Sequence, residues 1–185
     1  MGTRNLSLLK KDGKLVICQY GQWDGYPEGQ GVRVLNFCQD EEAMKKLKEI
    51  IPTIRNIREI PEYIKEHGKV CPKWSSDPDN RTPEMKYVDD KLFSRDVCAG
   101  IFDNIINIDY NRLPKEFNGN IYLSHYGLNE CTNYCDIWIE YAYLINLDTN
   151  KLECYGYEKL LKEYDLDNLP TEEQFIADLE VDEEE

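Results

Sequence analysis

The densest run of chemically capable residues is Gln19-Tyr20-Gly21-Gln22-Trp23-Asp24-Gly25-Tyr26-Pro27-Glu28-Gly29-Gln30-Gly31. Asp24 and Glu28 are carboxylates that could serve as acid or base, with Gln22 and Gln30 to orient a bound group. Trp23 and Tyr26 offer flat faces for stacking on a planar or sugar-like ligand. Glycines permit positive φ and close approach of a ligand to the backbone. Gly29-Gln30-Gly31, just ahead of a predicted helix, would turn backbone N–H groups outward at the positive end of the helix dipole. That arrangement suits a carboxylate, phosphate or oxyanion. Arg4 and Arg95 are the cations expected beside this loop. The same composition also makes a rigid turn whose aromatics close a core, so a ligand site and a structural turn both stay open.

Other constellations are sparse. The chain has no G-x-S-x-G, no P-loop, no H-E-x-x-H and no dinucleotide fingerprint, so no catalytic residue and no cofactor is assigned. Two histidines are present; His67 reads as a helix cap, which leaves His125 with Ser124, Cys131 or Cys135 as the one conceivable nucleophile pairing. A single C-x3-C without a second pair is weak metal spacing, and no metal is assigned. The seven cysteines are odd in number and scattered, and no export signal precedes them, which reads as reduced thiols in a cytoplasm.

The formal net charge is −14. Direct nucleic-acid binding needs a basic surface and is disfavoured. A strong negative field instead suits a protein partner with a basic surface. No apolar run approaches the ~20 residues of a membrane helix, so no membrane association is expected.

The elements around the central stretch follow from local patterns. Residues 4–10 and 15–20 read as strands joined by the Asp12-Gly13 turn. Residues 31–38 and 41–51 read as helices, and Ile54, Ile57 and Ile60 continue an apolar stripe. The prolines and polar residues of 71–90 indicate a long irregular loop. Ser94 is an N-cap candidate for a helix carrying Val97, Cys98, Ile101, Ile105 and Ile108. Asn118-Gly119 marks a turn before a strand at 120–126. The clearest strand is 136–147, with Ile137, Ile139, Tyr141, Tyr143, Ile145 and Leu147 on one face. Glu140 on the other face needs a partner, for which a salt bridge to an arginine on the next strand is expected. Residues 152–157 return as a hairpin, 157–164 read as a short helix, and Thr171 caps a last helix. The expected fold is α+β: an antiparallel sheet built from an N-terminal and a C-terminal hairpin and covered by helices. Residues 1–180 are read as one domain and 181–185 as an extended acidic tail.

Met-Gly-Thr-Arg-Asn-Leu at the start, the Asp-Gly turn and Gln-Tyr-Gly-Gln-Trp-Asp-Gly-Tyr-Pro-Glu-Gly-Gln-Gly together resemble a family of uncharacterised proteins from phages, prophages, bacteria and some fungi. Residues 94–99 and 138–148 look similar to the same pattern. More distantly, the opening hairpin with Arg4-Asn5 is similar to the N-terminal-nucleophile fold of class II glutamine amidotransferases. In that fold the residue exposed at the N-terminus is the nucleophile. Here removal of Met1 would expose Gly2, which has no side chain, and Thr3 lies one position further in. The resemblance therefore implies a small acidic mobile-element protein that binds and inhibits, or sequesters, a component of a host system such as a nuclease-based defence. The alternatives are an N-terminal-nucleophile-like amide hydrolase or transferase, and binding of a small anionic or flat ligand by the Gly21–Gly31 loop.

Overall fold

The computed structural model describes residues 2–56, 82–94, 96–123 and 139–180. The chain opens with strands β1 (Asn5–Lys11) and β2 (Lys14–Gly21), joined by Asp12 and Gly13 at φ 51° and 72°. Asp-Gly tolerates that left-handed pair, which matches the strand twist. Strands β3 (Ile54–Asn56) and β4 (Ile121–Leu123) form a separate parallel pair. The main sheet is completed by β5 (Tyr141–Asn146), β6 (Lys151–Gly156) and β7 (Lys159–Asp165), in the order β2-β1-β5-β6-β7. The fold is α+β, and the sheet is mostly antiparallel. At the seam between the two hairpins β1 and β5 run parallel, Asn5 opposite Tyr141 and Leu9 opposite Ile145.

Helices α1 (Val32–Gln39), α2 (Glu41–Ile50), α3 (Pro83–Val88), α4 (Gly100–Ile106) and α5 (Glu172–Leu179) contribute to the larger core. They meet the sheet face that carries Leu9, Ile17, Tyr143, Ile145, Leu152 and Cys154. The opposite face carries a smaller buried cluster of Leu6, Leu8, Cys18, Tyr20, Ala142 and Leu144, joined by Ile139. Strands β1, β2 and β5 are therefore buried on both faces, which explains their nearly unbroken apolar sequence.

Several expectations change. Residues 157–164 do not form a helix: Tyr157 and Glu158 make a turn, and β7 pairs with β6 along the sheet edge. The near-helical spacing of Leu160, Leu161 and Tyr164 comes from a register shift opposite Cys154 and Tyr155. It leaves Leu161 covering Gly156 while Leu160 stays exposed. The stretch 71–90 is not irregular throughout, because Thr82 caps α3, accepting the Met85 N–H at 3.2 Å, and Pro83 starts it. Ser94 caps no helix. Its Oγ accepts the Asp96 N–H in a local turn, and Cys98 at φ 48° breaks the run, so α4 begins only at Gly100. Ile54 belongs to β3 and not to a helical stripe. Ile139 packs with Ala142 and Leu144, not with Tyr141, because regular pairing in β5 begins at Tyr141. The readings of Ile57, Ile60, His67, Ser124, His125, Cys131, Cys135 and the 181–185 tail fall outside the described residues.

Candidate binding surface at one end of the sheet

Strand register gathers distant residues into one row. Gly21 of β2 pairs with Asn5 of β1, Asn5 with Tyr141 of β5, and Tyr141 with Gly156 of β6. The row marks one end of the sheet. From it project the Gln22–Gly31 loop, the Thr3–Arg4 segment, Glu140 and the Tyr157–Glu158 turn.

The loop is clamped from below. Gly25 N–H donates to the Thr3 carbonyl at 3.2 Å, and Asn5 Nδ2 donates to the Trp23 carbonyl at 3.1 Å. Tyr143, fully buried, donates its hydroxyl to the Gly25 carbonyl at 2.8 Å. A π-helical turn, Pro27–Gly31, then runs directly into α1. Two glycines make these approaches possible. A Cβ on Gly29 would stand 2.3 Å from the Asp24 carbonyl oxygen, and one on Gly31 would stand 2.9 Å from the Tyr143 ring.

These contacts divide the sequence-derived candidates. Gln30 is structural: its Oε1 accepts the Ala99 N–H at 3.1 Å. Gln22 accepts the Tyr20 hydroxyl at 2.6 Å. The N–H groups expected to face outward are used within the turn, Gly29 and Gly31 to the Tyr26 carbonyl at 3.0 and 3.3 Å, Gln30 to the Asp24 carbonyl at 2.9 Å. The helix start therefore presents none of these three donors to an anion. The loop side chains that remain in solvent are Trp23 (49% exposed), Asp24, Tyr26 (48%) and Glu28. Arg4 is half-buried beside the row, and Arg95 lies outside the described residues.

Sequence reading missed the partners of Tyr26. Its ring lies 5.9 Å from that of Tyr141, which in turn lies 6.1 Å from that of Tyr157. Tyr141 is 9% exposed and Tyr157 54%. The result is three tilted rings, one buried and two exposed. A water-sized cleft beside Tyr141 and Tyr157 is lined by Glu140, Tyr155 and Glu158 together with Ile139 and Ala142 of the smaller cluster. Glu140 Oε2 accepts the Arg4 backbone N–H at 3.0 Å, so its partner is the main chain of an arginine across the seam, where a side-chain salt bridge was expected. Burial raises the pKa of the Tyr141 hydroxyl, and the acidic groups of Tyr157, Glu28, Tyr26 and Glu140 push it the same way.

One local signal could have revealed this place. Tyr157 and Glu158 form a two-residue hairpin turn with φ of 48° and 69°. Such turns favour Asn and Gly, and a side chain in the left-handed region costs roughly 1–2 kcal/mol. The Tyr-Glu pair therefore carries a backbone cost that an Asn-Gly pair would avoid.

The buried cysteines offer little reactivity. Burial pushes the Cys18 thiol up to about 12 and raises Cys38, Cys98 and Cys154 as well. Among the described residues, no helix is long and apolar enough to cross a membrane. No protein-family model matches the chain, and no curated protein and no solved structure matches it.

Proposed function

We propose that this chain is a non-catalytic binding protein that engages a basic surface of a partner protein through the aromatic and acidic side chains at the loop end of the sheet. The observation that carries the reading is the exposure of Tyr26 and Tyr157, both in ring contact with Tyr141, with exposed Glu28 in the same loop as Tyr26 and Glu140 and Glu158 beside Tyr157. Tyrosines held on strands and clamped turns supply large contact area with little entropy left to lose. The net charge of −14 steers a basic partner toward the molecule.

In the setting that the family resemblance implies, the partner is a component of a host system such as a nuclease-based defence, which is inhibited or sequestered. Proteins that act on nucleic acid carry basic surfaces for phosphate, and such a surface is complementary to this one. Two alternatives have less support. An anionic ligand at Gly29–Gly31 finds those N–H groups already used. An amide hydrolase built on Thr3 would need an open side chain there, and Thr3 is buried with its carbonyl holding Gly25.

The test is phage or plasmid survival in hosts carrying nuclease-based defences, with wild type and Tyr26→Ala/Tyr157→Ala compared. Wild type is expected to raise survival against at least one system, and the double variant to return it to the control level. Unchanged survival against every system, with no salt-sensitive binding to a basic component of any of them, would sink the proposal.

A further inference from the structure

We propose that residues 22–30 form a spring-loaded lid that parts from the Cys98–Ala99 turn as a unit. Opening uncovers the strand end at Thr3 and Asn5 while the rest of the fold stays intact. The inference goes beyond the partner reading above and does not depend on it.

Three observations carry it. First, the lid is closed by hydrogen bonds and buries little apolar surface. Trp23 and Tyr26 are about half exposed, Asp24 and Glu28 face solvent, and Pro27 is its only buried side chain. Two bonds tie it to the turn: Cys98 Sγ donates to the Trp23 carbonyl at 4.0 Å, and the Ala99 N–H donates to Gln30 Oε1 at 3.1 Å. Segments with few buried apolar contacts open at a free energy well below that of global unfolding. Second, closure carries backbone strain. Asp24 stands at φ 54° and Cys98 at φ 48°, and Cys98 lacks the short polar side chain that eases this conformation for asparagine and aspartate. Such outliers gather at clamps and switches. The π-helical turn Pro27–Gly31 is another irregularity common at functional sites. Third, closure leaves a polar atom unsatisfied. Asn5 Oδ1 is buried without a hydrogen-bond partner, against Gly21, where a Cβ would stand 2.7 Å from it and 2.6 Å from Cys98 Sγ. Parting of lid and turn admits water to that oxygen and frees Cys98 from the left-handed region. The hydrogen bonds keep the closed state populated; the strain and the unsatisfied oxygen lower the free energy of opening.

Cys98 itself reports the motion. It is 3% exposed and its thiol is packed against Gly21, so a reagent reaches it only in the open state.

The experiment treats the full chain with iodoacetamide across a series of urea concentrations below the unfolding transition. Peptide mass spectrometry follows Cys18, Cys38, Cys98 and Cys154 separately, each rate being divided by that of the same cysteine in the unfolded chain. Cys98 should react at least about tenfold faster than the other three and with a shallower urea dependence, because lid opening exposes little surface. Gln30→Ala removes one closing bond and should speed the Cys98 reaction about threefold. Ile145→Val trims a fully buried core side chain; it should speed Cys38 and Cys154 about threefold and leave Cys98 unchanged. Cys98 matching the other three in rate and urea dependence would mean that it opens only by global unfolding, and the lid would fall. A Cys98 rate equal to that of the unfolded chain, an unchanged rate in Gln30→Ala, or equal acceleration of Cys98 and Cys38 in Ile145→Val would overturn it as well.

The two readings fail separately. If Cys98 opens as expected while wild type protects phage or plasmid against nothing, the lid stands and the proposed function falls. If wild type protects while Cys98 follows global unfolding, the lid falls and the basic-surface reading stands.

Discussion

The two ends of the sheet solve the same backbone problem with different residues. At the far end, Asp12 and Gly13 turn β1 into β2 at φ 51° and 72°. At the near end, Tyr157 and Glu158 turn β6 into β7 at φ 48° and 69°. The far end uses residues suited to the conformation and ties them down: Asp148 accepts the Asp12 and Gly13 N–H groups at 2.6 and 2.8 Å. The near end places an aromatic and an acid where the backbone resists them, and leaves the aromatic about half exposed. Turn chemistry explains the far end without a function. At the near end it does not, and the surplus falls where Tyr26, Tyr141 and Glu140 also converge.

The largest expected effect tests whether the near end is held rigidly. Gly29→Ala pushes a methyl against the Asp24 carbonyl and should destabilise by about 2–3 kcal/mol in denaturant unfolding. Gly13→Ala meets nothing within 4 Å and pays only for its positive φ, about 1 kcal/mol. Equal losses would mean that the loop is not clamped. Next, Tyr143→Phe removes the hydroxyl that holds the Gly25 carbonyl, with an expected loss of about 1–2 kcal/mol. A silent Tyr143→Phe would shift the anchoring role to Asn5 and Thr3.

A smaller effect has the opposite sign. Tyr157→Asn with Glu158→Gly gives the near end the turn residues it lacks, and should stabilise by about 1 kcal/mol in denaturant unfolding while weakening binding to a basic partner. Destabilisation would show that the side chains are there for packing, and the contrast between the ends would collapse.

The smallest effect concerns pH at the far end. Hydrogen bonds from Gly13 and Asp12, with nearby Lys11 and Lys10, hold the Asp148 carboxyl below its usual 3.8. A folded-state pKa below the unfolded one stabilises at pH above the unfolded value and is lost as pH falls through the folded value. The stability difference between wild type and Asp148→Asn should therefore be constant above about pH 5 and shrink below about pH 4. A difference that grows on acidification would refute the assignment.

Much of the fold was legible in the chain. The Asp12-Gly13 and Asn118-Gly119 turns take the positive φ their residues allow, and Thr171 caps α5, accepting the Gln174 N–H. The burial of β2 on both faces could be read from its apolar run. The misreadings at 157–164 and at Ser94 share a cause. Leu160, Leu161 and Tyr164 mimic a helical stripe because a bulge displaces strand alternation, and Ser94 looks like a cap until Cys98 adopts a left-handed conformation. Neither event has a local signature.

The candidate site divides along the same line. Trp23, Asp24, Tyr26 and Glu28 stood out by composition and do face solvent, whereas Gln22, Gln30 and the glycine N–H groups are bound within the structure. What the sequence determined by itself was set by neighbours a few residues apart: turns, caps, strand periodicity and charge. The tertiary structure alone decided that β1 and β5 meet in parallel, and so brought Tyr26, Tyr141 and Tyr157 together across more than 130 positions of chain. Strand pairing depends on which buried faces fit once the whole core assembles, and no short-range pattern encodes that choice.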